Sequence, residues 1–570
     1  MSGLKKLKNT FMEIVKEHPI SVICVFISMV LYSITIDTYS VDRSLPDSVR
    51  DLLNSIGLFL DVVAVGMLSL EAFRLFKLSK GEEYSLKEKK ILIPNIIVSV
   101  VSLVLGALFA IAALYEEDIK RSWFGGDKIA TDIFCELSAK ITAVFVVTAA
   151  CAILFFFLKK SKSSFETYTA KAFCGLMKAE LVFFVIFIGI TLIILAFNAL
   201  IFDTSSDTVY RAWFILIGLV QYPCVLSGLS KTEDEVSKFG KIMLTYVLPG
   251  LLAIAFVIIY VYIIKILVTW TFPKNQVFAI LTALFCFGVF IWTMAAGVCD
   301  DNMKKVFSIL PLLFIPFIVL QIMCLYMRIS PYGLTLSRYA GIAFVVFEVA
   351  YFVLYIFNMA RKLNVMHIVL AIIAAMFFLT FLAPGINATS AVVASQKGKI
   401  ERFLADNSGS ERIKREAYEA YKTINNSSGY KGELYIEKTL SDDQIEVLTE
   451  GDYYSASDIY AYADRETHVL DISGDYEKLY VVERYSDDGK DLTDYKIIAD
   501  GETVGTVNIQ GLASELLRLE KDNAKREEMN KLLEDDIELK EGGKLIITYI
   551  NVTGQDKEIK DVDIRGYVLK

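Results

Sequence analysis

Along residues 19–383 the chain repeats one pattern: about twenty apolar positions, then a short polar break. The apolar runs cover 19–37, 52–76, 91–114, 129–158, 180–202, 210–229, 243–269, 277–298, 306–326, 337–358 and 366–383. A helix rising ~1.5 Å per residue needs about 20 such residues to cross a ~30 Å hydrocarbon core, so each run predicts a membrane span. Pro311 and Pro316 predict a kink in the ninth. The first run is longer than a signal-peptide core, and no small-residue cleavage site follows before Tyr39, so it reads as a span. Past residue 386 the period changes. Residues 388–424 read as helix, with Ile400, Phe403 and Leu404 on an apolar face, and Asn425–Gly429 as a break. Short β-branched and aromatic runs follow at 432–440, 467–473, 478–485, 493–499 and 503–509, with Asp500-Gly501 as a hairpin signal. Residues 511–535 are helical, with Leu512, Leu516, Leu517, Leu519 and Met529 among charges, and 543–550 and 562–569 close as strands. The expected fold is an all-α polytopic membrane domain of about eleven transmembrane helices (1–385), followed by a soluble α+β extracytoplasmic domain (386–570).

Composition sharpens this division. Residues 1–385 hold 37 of the 38 Phe and all 4 Trp, 8 Cys and 10 Pro, whereas 386–570 hold 14 of the 29 Tyr. The second part carries 25 Lys and Arg against 39 Asp and Glu, net −14, and the first is net +6. A mean hydropathy of +0.49 excludes a single soluble domain and a disordered chain, and no basic face is offered to nucleic acid. The Cys residues lie in or beside spans and read as small apolar residues rather than a disulfide framework. A Cys-free external domain fits a bacterium with one membrane. With the N-terminus inside, the inner segments carry 21 Lys and Arg and the outer ones 9. That bias sets the orientation, and eleven spans then place the C-terminal domain outside. The bilayer is the one certain partner class; an envelope lipid, sugar or protein is a further candidate.

Charge inside the hydrocarbon layer costs roughly 2.5–3.5 kcal/mol per residue, so each case asks for a reason. Glu71, Lys178, Glu180 and Lys265 are expected to reach an interface by snorkelling. Glu136 and Lys140, spaced i, i+4, share a helix face and are expected to pair. Asp61 and Glu348 fall at similar depths on other helices. Two readings stay open: Asp61, Glu136, Lys140 and Glu348 converge on one water-filled cavity, or they are separate structural contacts. Three scattered histidines, His18, His367 and His468, show no metal-ligand spacing. No phosphate-cradling loop is present, and Gly228-Leu229-Ser230 lacks a visible base, so no catalytic residue, metal or cofactor is assigned.

One stretch is more specific. It includes Tyr246-Val-Leu-Pro249, Ile259-Tyr-Val-Tyr262, Pro273-Lys-Asn-Gln276, Arg328-Ile-Ser-Pro-Tyr332-Gly-Leu-Thr335-Leu-Ser-Arg338-Tyr339, Ala383-Pro384-Gly-Ile-Asn387 and Ser395-Gln396. This resembles a bacterial polytopic membrane family catalogued as domain of unknown function 4153. The resemblance implies a multi-pass membrane protein and carries no activity. Within it, Pro331 and Gly333 predict a tight outer turn, and Thr335 or Ser337 a helix cap. Arg328 and Arg338 at the outer surface suit either an anionic substrate or lipid phosphate, or ordinary contacts with headgroups and the external domain.

In the external half, the Tyr content suits either sugar recognition or β-sheet packing. Val469–Gly474 and Val562–Gly566 form a faint repeat, and Asp487–Asp491 reads as a solvated turn rather than a calcium loop. The functional expectation is transport or translocation of an envelope-related solute or lipid. The alternative is a non-transporting sensor or assembly scaffold acting through the external domain, and an enzyme is the least supported class.

Overall fold

The computed structural model describes residues 2–36, 45–85, 87–114, 128–200, 207–232, 235–269, 276–361, 364–405, 411–449, 459–465, 476, 478–484, 492–499, 502–521, 526–555 and 558–570. The chain divides into two compact units, Met1–Leu448 and Thr449–Lys570.

In the first unit every apolar run lies on a helix. An amphipathic helix α1 (Ser2–Glu17) precedes α2 (Pro19–Thr35). Then come α3 (Asp47–Ser79), α4 (Lys89–Ala112), α5 (Lys128–Ser161), α6 (Phe165–Leu200), α7 (Asp207–Ser230) and α8 (Lys238–Ile266). The series ends with α9 (Gln276–Val298), α10 (Met303–Ser330), α11 (Leu336–Arg361) and α12 (Ile368–Phe381). Among the described residues nine helices, α3 to α11, are long and apolar enough to cross a membrane. Residues Asn9–Glu17 and α2 make a tenth only as a pair bent by 101°. The run at 366–383 forms α12, whose 14 residues rise about 21 Å, short of a ~30 Å core. Helix length therefore supports nine or ten crossings, fewer than the eleven that the apolar runs predict.

The kink expected at Pro311 and Pro316 takes the form of a 3₁₀ turn, Leu310–Phe314, inside α10. Pro316 has no N–H to offer the preceding turn, and the Tyr260 hydroxyl instead donates to the Leu313 carbonyl at 2.7 Å. Around this turn lies an aromatic core of Phe285, Trp292, Phe314, Phe317, Tyr351 and Phe352. Trp292 Nε1 donates to the Tyr351 hydroxyl there at 2.7 Å, so both polar atoms are satisfied. Elsewhere α6 and α7 cross at backbone contact. A Cβ on Gly175 would stand 2.6 Å from the Gly228 carbonyl oxygen. The Gly228-Leu229-Ser230 triplet is thus accounted for by a helix crossing of the small-residue kind.

The first unit also takes in four polar helices, α13 (Ala388–Ala405), α14 (Glu411–Ser427), α15 (Gly429–Thr439) and α16 (Asp442–Thr449). Their shared core includes Ile400, Ala417, Ala420, Ile424, Ile436 and Leu448. The strand expected over 432–440 is the helix α15. Its buried positions Gly432, Ile436 and Leu440 recur every four residues, and that period decides over β-propensity.

The second unit is an antiparallel sheet in the order β1-β6-β7-β2, from β1 (Ile459–Asp464), β2 (Leu479–Arg484), β6 (Lys544–Gln555) and β7 (Glu558–Leu569). A short β5 (Ile537–Glu538) pairs with β6, and β3 (Tyr495–Ala499) forms a hairpin with β4 (Glu502–Val507). Helix α17 (Gln510–Lys521) lays Ala513, Leu516 and Leu517 on a core with Ala461, Val482, Ile550 and Val562. Sequence pattern does not mark β1, because its inward positions are Ala461 and Ala463, whose small side chains give little contrast. The run 467–473, the first copy of the repeat, Asp487–Asp491, and Asp500-Gly501 lie outside the described residues.

Candidate functional site

The charged residues within the spans fall into separate settings. Asp61 on α3 accepts from the Ser28 hydroxyl (2.6 Å) and the Tyr32 hydroxyl (2.9 Å) of α2. Glu348 on α11 is fully buried and accepts from Gln321 Nε2 of α10 at 3.2 Å. Its second oxygen and Gln321 Oε1 have no hydrogen-bond partner among the described residues. Glu136 and Lys140 on α5 form the expected ion pair. The same Glu136 carboxylate accepts the Tyr430 backbone N–H at 2.9 Å, one of the orphan donors at the start of α15. Beside it Lys431 donates to the Ser390 hydroxyl at 2.7 Å. Burial holds the Lys431 ammonium below its ordinary range, with Lys140 adding to the effect and Glu136 opposing it. Of the four residues, the structure brings Glu136 and Lys140 together and gives Asp61 and Glu348 partners of their own.

Glu71 departs from the snorkelling expectation. It is only 6% exposed and faces the N-terminus of α2. It accepts from the Ile20 N–H (2.8 Å), the Ser21 N–H (3.4 Å) and the Ser21 hydroxyl (2.6 Å). One turn along α3, Arg74 donates to the Glu17 carbonyl at the end of α1 at 2.6 Å. A carboxylate thus serves the positive end of one helix and a guanidinium the negative end of the other, and together they fix the bend between α1 and α2. His18 sits at the apex, fully buried, with Nδ1 3.6 Å from Glu71 and its ring edge-on to Phe157.

A cavity of about 840 Å³ opens between α1, α6 and α7. Lys160, Lys171, Lys178 and Lys231 line it, with Glu13, Glu17 and Glu235. Lys231 is bonded to Glu13, whereas the other three lysines have no ion-pair partner among the described residues. Phe11, Ile14, Val182, Ile186 and Val220 supply apolar wall. The site joins lysines from separated stretches to an apolar surface; in the sequence Lys160, Lys171 and Lys231 stand out only as topology signals and Lys178 as a charge expected to reach the inner interface. A second cavity, of about 260 Å³, lies beside Trp292, Tyr351 and Lys304. None of Asp61, Glu136, Lys140 or Glu348 lines either one. Among the described residues no three His, Cys, Asp or Glu side chains are grouped as a metal site requires.

The turn after α10 is held by α13. Gly333 takes a positive φ of 74°, which only glycine adopts without strain, and the turn exposes its backbone groups. The Leu334 N–H donates to the Ser395 hydroxyl at 2.9 Å. Gln396 Nε2 donates to the Tyr332 and Leu334 carbonyls at 3.2 and 2.8 Å. Tyr339 donates to the Ile386 carbonyl at 2.7 Å, and Asn387 caps α13 by accepting the Ser390 N–H at 3.0 Å. The Tyr-Gly-Leu-Thr-x-x-Arg element and the Ser-Gln pair, far apart in the chain, therefore form one clasp.

The fold and these contacts define a multi-span membrane protein with helices packed on the ends of its spans. Residues 158–412 match the family model described as Domain of unknown function (DUF4153). The matched segment contains the whole clasp and most of the large cavity, while Asp61, Glu71 and Glu136 precede it. No curated protein and no solved structure matches the chain.

Proposed function

We propose that the chain binds an anionic amphiphile of the cell envelope, a lipid or lipid-like solute, and serves its transport or translocation. The observation that carries this reading is the 840 Å³ cavity, in which three lysines without an ion-pair partner among the described residues stand over an apolar wall. Its volume lies within the usual ~300–1,000 Å³ of small-molecule sites. Cations beside apolar wall suit a ligand with a charged head and a hydrocarbon tail.

The proposed orientation has the N-terminus cytoplasmic and the Thr449–Lys570 unit outside, and it counts α2 and α12 as crossings beside α3 to α11. The Tyr339–Ile386 bond supports this, because it returns the end of α12 to the start of α11. The lysine count supports it, because Lys160, Lys171 and Lys231 belong to the lysine-rich end. The Glu136 end of α5 and the 332–335 turn, which α15 and α13 contact, belong to the lysine-poor end.

The test is native mass spectrometry of the full chain with phosphatidylglycerol and with phosphatidylcholine. Retention of phosphatidylglycerol that is lost in Lys171→Gln/Lys178→Gln supports the reading. Equal retention of both lipids, unchanged by the substitutions, overturns it.

A non-transporting scaffold is the second reading, and one observation favours it. Asp61, Glu71 and Glu136 each bond a neighbouring helix rather than line a cavity, which is what structural contacts would do.

A further inference from the structure

A second cationic cluster lies apart from the cavity, where the turn after α10 meets α13. Arg338 Nη1 donates to the Gly333 carbonyl at 2.7 Å, and its guanidinium sits 5.6 Å from the Tyr332 ring centroid. Lys399 Nζ donates to the adjacent Tyr332 carbonyl at 2.9 Å. Two carbonyls one residue apart thus draw two cations to the same turn. Arg328, one helical turn before Tyr332, lies within electrostatic reach of Arg338. Arg328 has no hydrogen-bond partner among the described residues, and none of the three cations has a carboxylate at ion-pair distance among them. Glu416, the first acidic group acting on Lys399, pairs with Arg402 at 3.7 Å.

Gathering like charges at a half-buried turn is unfavourable unless an anion joins them. Lys399 registers that cost. Burial pulls its ammonium below the ordinary lysine range; Glu416 opposes this, Arg338 and Arg402 reinforce it, and Glu419 again opposes it. The two arginines retain N–H donors beyond the one bonded to Gly333, in the planar fork that suits phosphate oxygens.

We propose that Arg328, Arg338 and Lys399 form a binding site for a phosphate group, with the 332–335 turn as its rigid base. A lipid headgroup and a free phosphate share that chemistry. The proposal does not depend on the lysine-lined cavity.

The experiment uses the purified full chain, with thermal unfolding and native mass spectrometry as readouts. The probes are inorganic phosphate in detergent, and phosphatidylglycerol against phosphatidylcholine in nanodiscs. Arg328→Gln is the main variant, because Arg328 makes no internal hydrogen bond that folding would miss. Lys399→Met is the second. Each should weaken the apparent affinity for the effective probe about tenfold, the scale of one charge-assisted contact. The same comparison is repeated in a Lys171→Gln/Lys178→Gln background, which removes two of the cavity's lysines. The response to the probe and its weakening by Arg328→Gln should persist there, which separates the cluster from the cavity. A response to inorganic phosphate supports a free-anion site, and a response to phosphatidylglycerol alone supports a headgroup site. A wild type that answers neither probe, or variants that bind as wild type does, overturns the proposal.

Discussion

Replacing Glu71 tests the view that one carboxylate holds the bend between α1 and α2. Glu71→Leu keeps the apolar bulk and removes the acceptor for the Ile20 N–H, the Ser21 N–H and the Ser21 hydroxyl. A stranded donor costs about 1–3 kcal/mol when water cannot replace the partner. The Ser21 hydroxyl has a fallback in the His18 carbonyl, 3.4 Å away, and the Ser21 N–H bond is long, so the Ile20 N–H and the lost charge carry most of the effect. The sum is about 3 kcal/mol, a shift of roughly a hundredfold in the unfolding equilibrium. Glu71→Gln keeps one carbonyl acceptor and should cost only about 1 kcal/mol, chiefly the charge facing the helix end. Equilibrium unfolding in mixed micelles measures both, and hydrogen exchange at Ile20 and Ser21 locates the change. If Glu71→Leu unfolds with the wild-type midpoint while Ile20 stays protected, the carboxylate is not what caps α2.

Glu136→Ala should release α15, raising hydrogen exchange at Tyr430 and lowering stability by roughly 2 kcal/mol, since it removes a cap and leaves Lys140 unpaired. Gly429→Ala should do similar damage by another route. Its φ is +56°, and the added Cβ would stand 2.0 Å from Glu136 Oε2, so a wild-type stability would refute the contact. In the second unit, Asp536 accepts from Arg465 (2.9 Å) and Lys544 (3.0 Å). Burial alone would raise its carboxyl, but these two bonds overcome that and hold it below the ordinary range. Its stabilisation is therefore full above the unfolded value of ~3.9 and lost as pH falls through the lower folded value. Hydrogen exchange of β6 across that range should show the loss in wild type, and Asp536→Asn should abolish the pH step. A reporter fused after Lys570 should be active only outside the cytoplasm; activity inside would mean an even number of crossings.

The apolar runs alone determined where the membrane helices lie, because about twenty apolar residues have no other stable solvent than lipid or a protein core. They did not determine how long each helix is. Run 366–383 ends as a 14-residue helix because Pro384 and Gly385 turn the chain toward the Asn387 cap. The Glu136–Lys140 pair was legible, since i, i+4 spacing is local. Its partner Tyr430 was not, being 294 positions away. Asp61, Glu71 and Glu348 were legible as anomalies, yet their partners depended on which helices adjoin, a matter of three-dimensional packing that no local period encodes. The same holds for the two cationic clusters. Arg328 and Arg338 stand out near the loop they flank, but Lys399 joins them only through the clasp of Ser395 and Gln396 on the 332–335 turn. In one dimension Lys160, Lys171 and Lys231 read as topology signals and Lys178 as a snorkelling charge, and only the crossing of α6 and α7 at Gly175 and Gly228 gathers them around an open space.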